Sequence, residues 1–464
     1  MPITARKYRM AATSPPSPNL SSSGCKHRLP LERTALARDF APSCAIPLRF
    51  LILGLLCLAT ATGWLLIHPT MVLAPYQTPH TVAWAHLYIL GFALSTVMGA
   101  AYQIVPVALG VQLHSERLAA FHPILHIVGV ALLVPMFFVW SLPMVTLGGA
   151  LLISGALLFS YNLARTLRRI PRFDAVAASL TFALGWLLLT MALGLTMSVP
   201  ALRMLLPHPS GDWLAAHAHL GIGGIFINLI VGISFRLLPL FTLSTLQSPT
   251  RAWLACLGLN AGLAMVFVAI GLGHFRCALA GGAIITVALA IALGEMFAIC
   301  AARQRRRLDW GLRLFLVAVG LLLPLTGVGL VAALTDPGSP LRNFYALLAL
   351  LGVVGLAIVG MLHKILPFLV WYSVYSPQIG KTQVPSLAAM VSEPRQKITF
   401  FACLGGLGLL EIGVAFGLQP VATVGLWLWG VGIAAWLVNA ISLLNHLRKI
   451  PPPPQKPPAE FHFS

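Results

Sequence analysis

Apolar residues run along this chain in twelve long stretches, separated by short segments that carry most of its Lys, Arg, Pro and Ser. A run of about 20 apolar residues predicts a membrane-spanning helix, because it crosses the hydrocarbon core and satisfies its own backbone hydrogen bonds there. The predicted spans are 46–67, 81–105, 119–140, 143–164, 174–199, 213–239, 252–273, 277–301, 309–334, 342–371, 398–417 and 420–446. The expected fold class is all-α, a polytopic membrane protein with about 12 transmembrane helices in three four-helix units. One membrane domain over 45–447 would lie between a tail of residues 1–44 and a Pro-rich tail of residues 448–464.

The grouping into three rests on a pattern within the second, sixth and tenth spans. Gly, two intervening residues, an aromatic or His, a polar or cationic residue, two aliphatics and Pro recur at Gly99–Pro106, Gly232–Pro239 and Gly360–Pro367. Intervals of 133 and 128 residues separate the three prolines, enough for four helices each. Fixed-period similarity reports a repeated structural unit, and in membrane chains a site tends to lie where the units meet. Twenty residues before each Pro stand His86, His219 and Leu347, so two of the three copies place a histidine at one equivalent position.

Composition agrees with a membrane chain: 58% hydrophobic, 9% charged and a mean hydropathy of +0.88. The net charge of +19 would otherwise point to nucleic acid, but its distribution opposes that reading. With a cytoplasmic N-terminus, all but Arg203, Arg276 and Arg342 of the 30 Lys and Arg fall on the cytoplasmic side. This is the positive-inside bias, so the expected surroundings are a lipid bilayer with both termini cytoplasmic and no nucleic-acid partner. Residues 1–44 read as a disordered basic tail, and the first span, too far along for a cleaved signal peptide, is expected to remain. Seven dispersed cysteines form no Cys-x-x-Cys pair and no c-type haem attachment site, and read as packing residues.

Candidate chemistry lies in the histidines. His86, His217 and His219 fall at similar depth near the extracytoplasmic ends of the second and sixth helices, with His80 nearer that surface. Imidazole ligates haem iron, copper and zinc, and polar groups inside a membrane are costly enough to be functional candidates. The alternative role for each is a hydrogen bond across a helix interface. His86 and His219 are the expected ligand pair; His217, about 200° around its helix from His219, either serves a second centre or bonds a neighbour. Toward the cytoplasm, His122 and His126 share a helix face as an i, i+4 pair, and His363 takes the repeat position of Tyr102 and Phe235. These three are further metal candidates, or interface residues. Gln103, Arg236 and Lys364 share the next position; they anchor helix ends, or contact haem propionates or another anion. Glu295 and Glu411, on different helices, do not make a proton relay, and no phosphate loop or nucleophilic triad is present.

Several segments carry a resemblance. His-Leu-x-x-x-Gly-Phe and Met-Gly-x-x-Tyr-x-x-x-Pro over 86–106, His-Ala-His-Leu at 217–220, and Lys-Ile-Leu-Pro-Phe-Leu-Val-Trp-Tyr at 364–372 look like the haem-copper oxidase subunit I superfamily. The wording is closest to its oxidase-subunit-I-like and NnrS-like offshoots, over residues 46–447. The resemblance implies a bacterial inner-membrane protein holding haem b, with copper as a further candidate. It would act in nitric-oxide or metal stress, or in electron transfer with a respiratory-chain subunit or redox partner. The superfamily's His pair after helix six and His-x-His on helix ten are missing, so an intact dioxygen-reducing centre is not expected and enzymatic turnover stays open. Other readings are a secondary transporter or metal permease, in which the histidines bind cargo, and an assembly factor.

Overall fold

The computed structural model describes residues 40–207, 210–335 and 340–449, and the tails called at 1–44 and 448–464 lie almost wholly outside these. Within them the chain is all-α, with twelve helices long and apolar enough to cross a membrane. They are α1 Ala45–Ile67, α2 Pro79–Leu109, α3 Glu116–Phe138, α4 Leu142–Leu167, α5 Ala175–Ser198, α6 Trp213–Thr242, α7 Pro249–Gly271, α8 Phe275–Ala301, α9 Trp310–Ala333, α10 Pro340–Val374, α11 Glu393–Ala415 and α12 Gln419–Arg448. The end of the bundle where α1 begins gathers nearly all the Lys and Arg, and is called the basic end below.

Helix boundaries follow local chemistry. Thr78, Ser115, Asp174, Ser248 and Asp309 each accept a backbone N–H of the first turn that follows, filling a bond that the helix start leaves open. The second and sixth helices run past the prolines at which the spans were expected to end. In each, the proline carbonyl accepts the N–H of a left-handed residue four positions on, Gly110 (φ 65°) and Leu243 (φ 56°), which closes the helix.

Each four-helix unit consists of two packed pairs: α1 on α2 and α3 on α4, α5 on α6 and α7 on α8, α9 on α10 and α11 on α12. Neighbouring units join through α4–α5, α8–α9 and α12–α1, so the three units close into a ring. Gln419 Nε2 donates to Pro69 O at 3.0 Å across that last seam. Helices α2, α6 and α10 are the most buried and stand inside, α10 touching both others.

Two features recur in all three units. The inner helices carry π-helical segments at Leu87–Leu94, Leu220–Ile227 and Leu348–Gly355, each beginning 19 residues before the shared Pro. The backbone N–H of the serine preceding α3, α7 and α11 is held by a side chain 47 residues on: Ser115 by Asn162 (3.0 Å), Ser248 by Glu295 (2.9 Å) and Ser392 by Asn439 (3.0 Å). Glu295, conspicuous in the sequence as an intramembrane carboxylate, is thus a loop clamp that also accepts from Gln247 N and the Arg251 guanidinium.

Candidate functional site

Near the end opposite the basic one, α2 is fixed by Trp84, whose Nε1 donates to Ala61 O of α1 at 3.0 Å. One turn earlier, Val82 O accepts a 2.8 Å bond from His86 Nδ1. A carbonyl only accepts, so Nδ1 carries the proton and the Nε2 lone pair is left over. No hydrogen bond occupies that Nε2 among the described residues. His219 is fixed the same way by Ala215 O (2.8 Å), and His363 by Val359 O (2.8 Å).

The tertiary structure brings His86 together with His217, their ring centres 6.3 Å apart and their planes 22° from parallel. His217 Nδ1 is buried without a hydrogen-bond partner. Its ring lies against Gly194 of α5, where a Cβ would come within 3.0 Å of Cε1. Phe137 of α3 covers His86, ring centres 4.5 Å apart. Both histidines line a cavity of about 280 Å³ among α1 to α6 and α10, whose other walls are almost entirely apolar. Asn343 closes one side and is itself held to Val72 O (3.2 Å) and Ala74 O (2.9 Å).

His219 is not part of this lining. Its ring stacks at 6.0 Å on Tyr345 of α10, and its Nε2 stands 3.4 Å from the tyrosine hydroxyl. The expected pairing of His86 with His219 is therefore replaced by His86 with His217. The reason lies in how the inner helices meet. His86 and His219 stand 20 residues before their prolines, His217 and Tyr345 22 before theirs. Position 20 of one inner helix meets position 22 of the next, a head-to-tail contact rather than a like-with-like one.

The other candidates do not join the cavity. His80 is exposed and packs edge-on against Phe138 at 5.6 Å. His126 Nε2 is shared between Ser95 Oγ (2.9 Å) and Leu90 O (3.2 Å), and His122 Nδ1 meets Tyr102 Oη at 3.1 Å. His122 Nε2 is buried without a hydrogen-bond partner beside Gly155 of α4, where a Cβ would lie 3.2 Å away, so this i, i+4 pair packs α3 against α2 and α4 outside the cavity. His363 sits apart from them, between α9 at Gly311 and α12 at Trp436. Arg236 lies at the basic end, 3.4 Å from Asp174, about 28 Å along α6 from His217 and out of reach of a propionate in the cavity. Among the described residues no cluster of three or more His, Cys, Asp or Glu could hold a metal ion.

Sequence reasoning missed Phe137, Thr190, Gly194 and Asn343 as cavity walls. Asn343 alone carried a signal, a polar residue at the start of an apolar run. Compared with known proteins, the chain matches no family model and no curated sequence.

Proposed function

We propose that this chain is a haem- or copper-binding membrane protein of the oxidase-subunit-I-like kind, with His86 and His217 as its ligands. The observation that carries this reading is a pair of half-buried imidazoles, each with one ring nitrogen unspent, lining one apolar cavity. His86 and His217 would hold the group between rings whose centres stand 6.3 Å apart. An orphaned buried nitrogen also costs stability unless a ligand uses it. Two ligands fall short of a closed four-ligand zinc site and would suit a b-type haem, or copper. Either group would supply a one-electron redox centre. The backbone bond to Val82 O orients the His86 ring, and the apolar walls exclude water.

Enclosed by two histidines and apolar walls, either group would favour electron transfer with a redox partner over dioxygen reduction. The recurring π segments and serine clamps support a threefold internal repeat, and the crowding of Lys and Arg at one end supports cytoplasmic termini in a bacterial inner membrane. The metal-permease reading draws on one observation: the histidine cavity shares Phe226 with an apolar cleft that runs toward Arg236. An apolar passage with an arginine at its exit opposes a metal cation.

Reduced-minus-oxidised absorption spectra and metal analysis on purified protein supplied with haem and copper test the reading. His86→Ala and His217→Ala are each expected to abolish the signal, and His219→Ala to keep it. A folded wild type that is colourless and metal-free would refute metal ligation. Loss in His219→Ala with retention in His217→Ala would restore the pairing expected from sequence.

A further inference from the structure

At the basic end a second cavity, of about 310 Å³, opens among the ends of α2, α5, α6 and α7. Its lining includes Arg172, Arg236, Asp174, Phe173 and Trp253, two cations against one carboxylate. Arg172 is exposed and has no ion-pair partner among the described residues. Arg236 meets Asp174 only at 3.4 Å, with 46% of its side chain exposed. Leu109, Val176 and Arg236 also line an apolar cleft of about 120 Å³ that runs inward among α2, α6 and α10. A cationic mouth therefore shares its wall with an apolar interior, at the level where helix ends meet lipid headgroups.

We propose that these two spaces form one site for an anionic phospholipid, whose phosphate sits between Arg172 and Arg236 and whose acyl chain enters the cleft. Guanidinium groups recognise phosphate oxygens through charge-assisted bonds. Phe173 and Trp253 flank the mouth as amphipathic rings do at a membrane interface. A free phosphate would satisfy the arginines and leave the cleft without use. The site needs neither haem nor copper, and its cleft meets the histidine cavity only at Phe226.

The test is native mass spectrometry of the full chain titrated with phosphatidylglycerol, phosphatidylcholine and inorganic phosphate. Wild type is expected to retain phosphatidylglycerol over phosphatidylcholine, with excess phosphate failing to displace it. Arg172→Ala with Arg236→Ala should weaken retention about thirtyfold, from two headgroup charges. Ile233→Trp, which fills the cleft and keeps both arginines, should also weaken it. Each variant is checked for wild-type helicity and monodisperse elution. Equal retention of the two lipids, or no loss in the double variant, overturns the proposal. Ready displacement by phosphate, or full retention in Ile233→Trp, overturns the acyl-chain assignment and leaves a plain anion pocket.

Discussion

Asp309 shows how one side chain can serve two elements. It caps α9 through Leu312 N at 3.1 Å and pairs with Lys364 of α10. Burial alone would raise its carboxyl, but the hydrogen bond and charge of Lys364, with the Leu312 amide, outweigh burial and hold it below the usual carboxylate range. A carboxyl lowered on folding adds stability that is complete above its unfolded value and is lost as pH falls through the folded value. Asp309→Asn keeps the cap and loses the pair, so its melting temperature should fall below wild type at neutral pH, the gap closing below about pH 4. An equal gap at both pH values would show that the pair does not titrate with folding. Among the histidines, sequence placed His86, His217 and His219 at one depth, and the structure sets His86 beside His217 and His219 beside Tyr345. Depth along a helix is local arithmetic; which ring meets which depends on rotation between helices, and that is set by packing elsewhere.

At the level of elements, the closing turns of α2 and α6 differ by one side chain. Gly110 adopts a left-handed backbone freely, whereas Leu243 at the matching position carries a Cβ that disfavours it. Leu243 is 56% exposed, so little packing offsets that cost. Leu243→Gly is expected to raise stability by about 0.5–1 kcal/mol, read as a higher thermal midpoint in detergent. The serine clamps permit a second comparison. Glu295 is fully buried and holds two loop amides and Arg251, where Asn162 and Asn439 serve the other units. Glu295→Ala should cost about 2–3 kcal/mol, and Glu295→Gln, which keeps an oxygen for the amides, about 1 kcal/mol. Equal losses would place the stabilisation in the charge instead of the loop. Neither clamp nor π segment was legible beforehand, because a bond 47 residues apart leaves no periodic trace.

For the whole molecule, the ring closes where α12 meets α1. A Cβ at Gly430 would stand 3.0 Å from Leu66 Cδ1, so the two ends of the chain's membrane domain lie side by side. In a background with the native cysteines replaced, Leu66→Cys with Gly430→Cys should be bridged by a short thiol-reactive cross-linker within one chain. Bridging only between chains would mean an open arc. Closure matters for the site, since it holds α2, α6 and α10 inside, with one cavity near each end.

The sequence by itself determined the twelve helices, their order, the shared register of α2, α6 and α10 and the end at which the charges gather. These follow from the length of apolar runs and the spacing of Gly and Pro, which act on the chain locally. Only the tertiary structure decided that His86 faces His217, that His219 faces Tyr345 and that Arg236 belongs to a different cavity. In a closed ring each inner helix presents one face to the neighbour before it and another to the neighbour after it. Equivalent positions therefore cannot meet, and the contact falls between unlike ones.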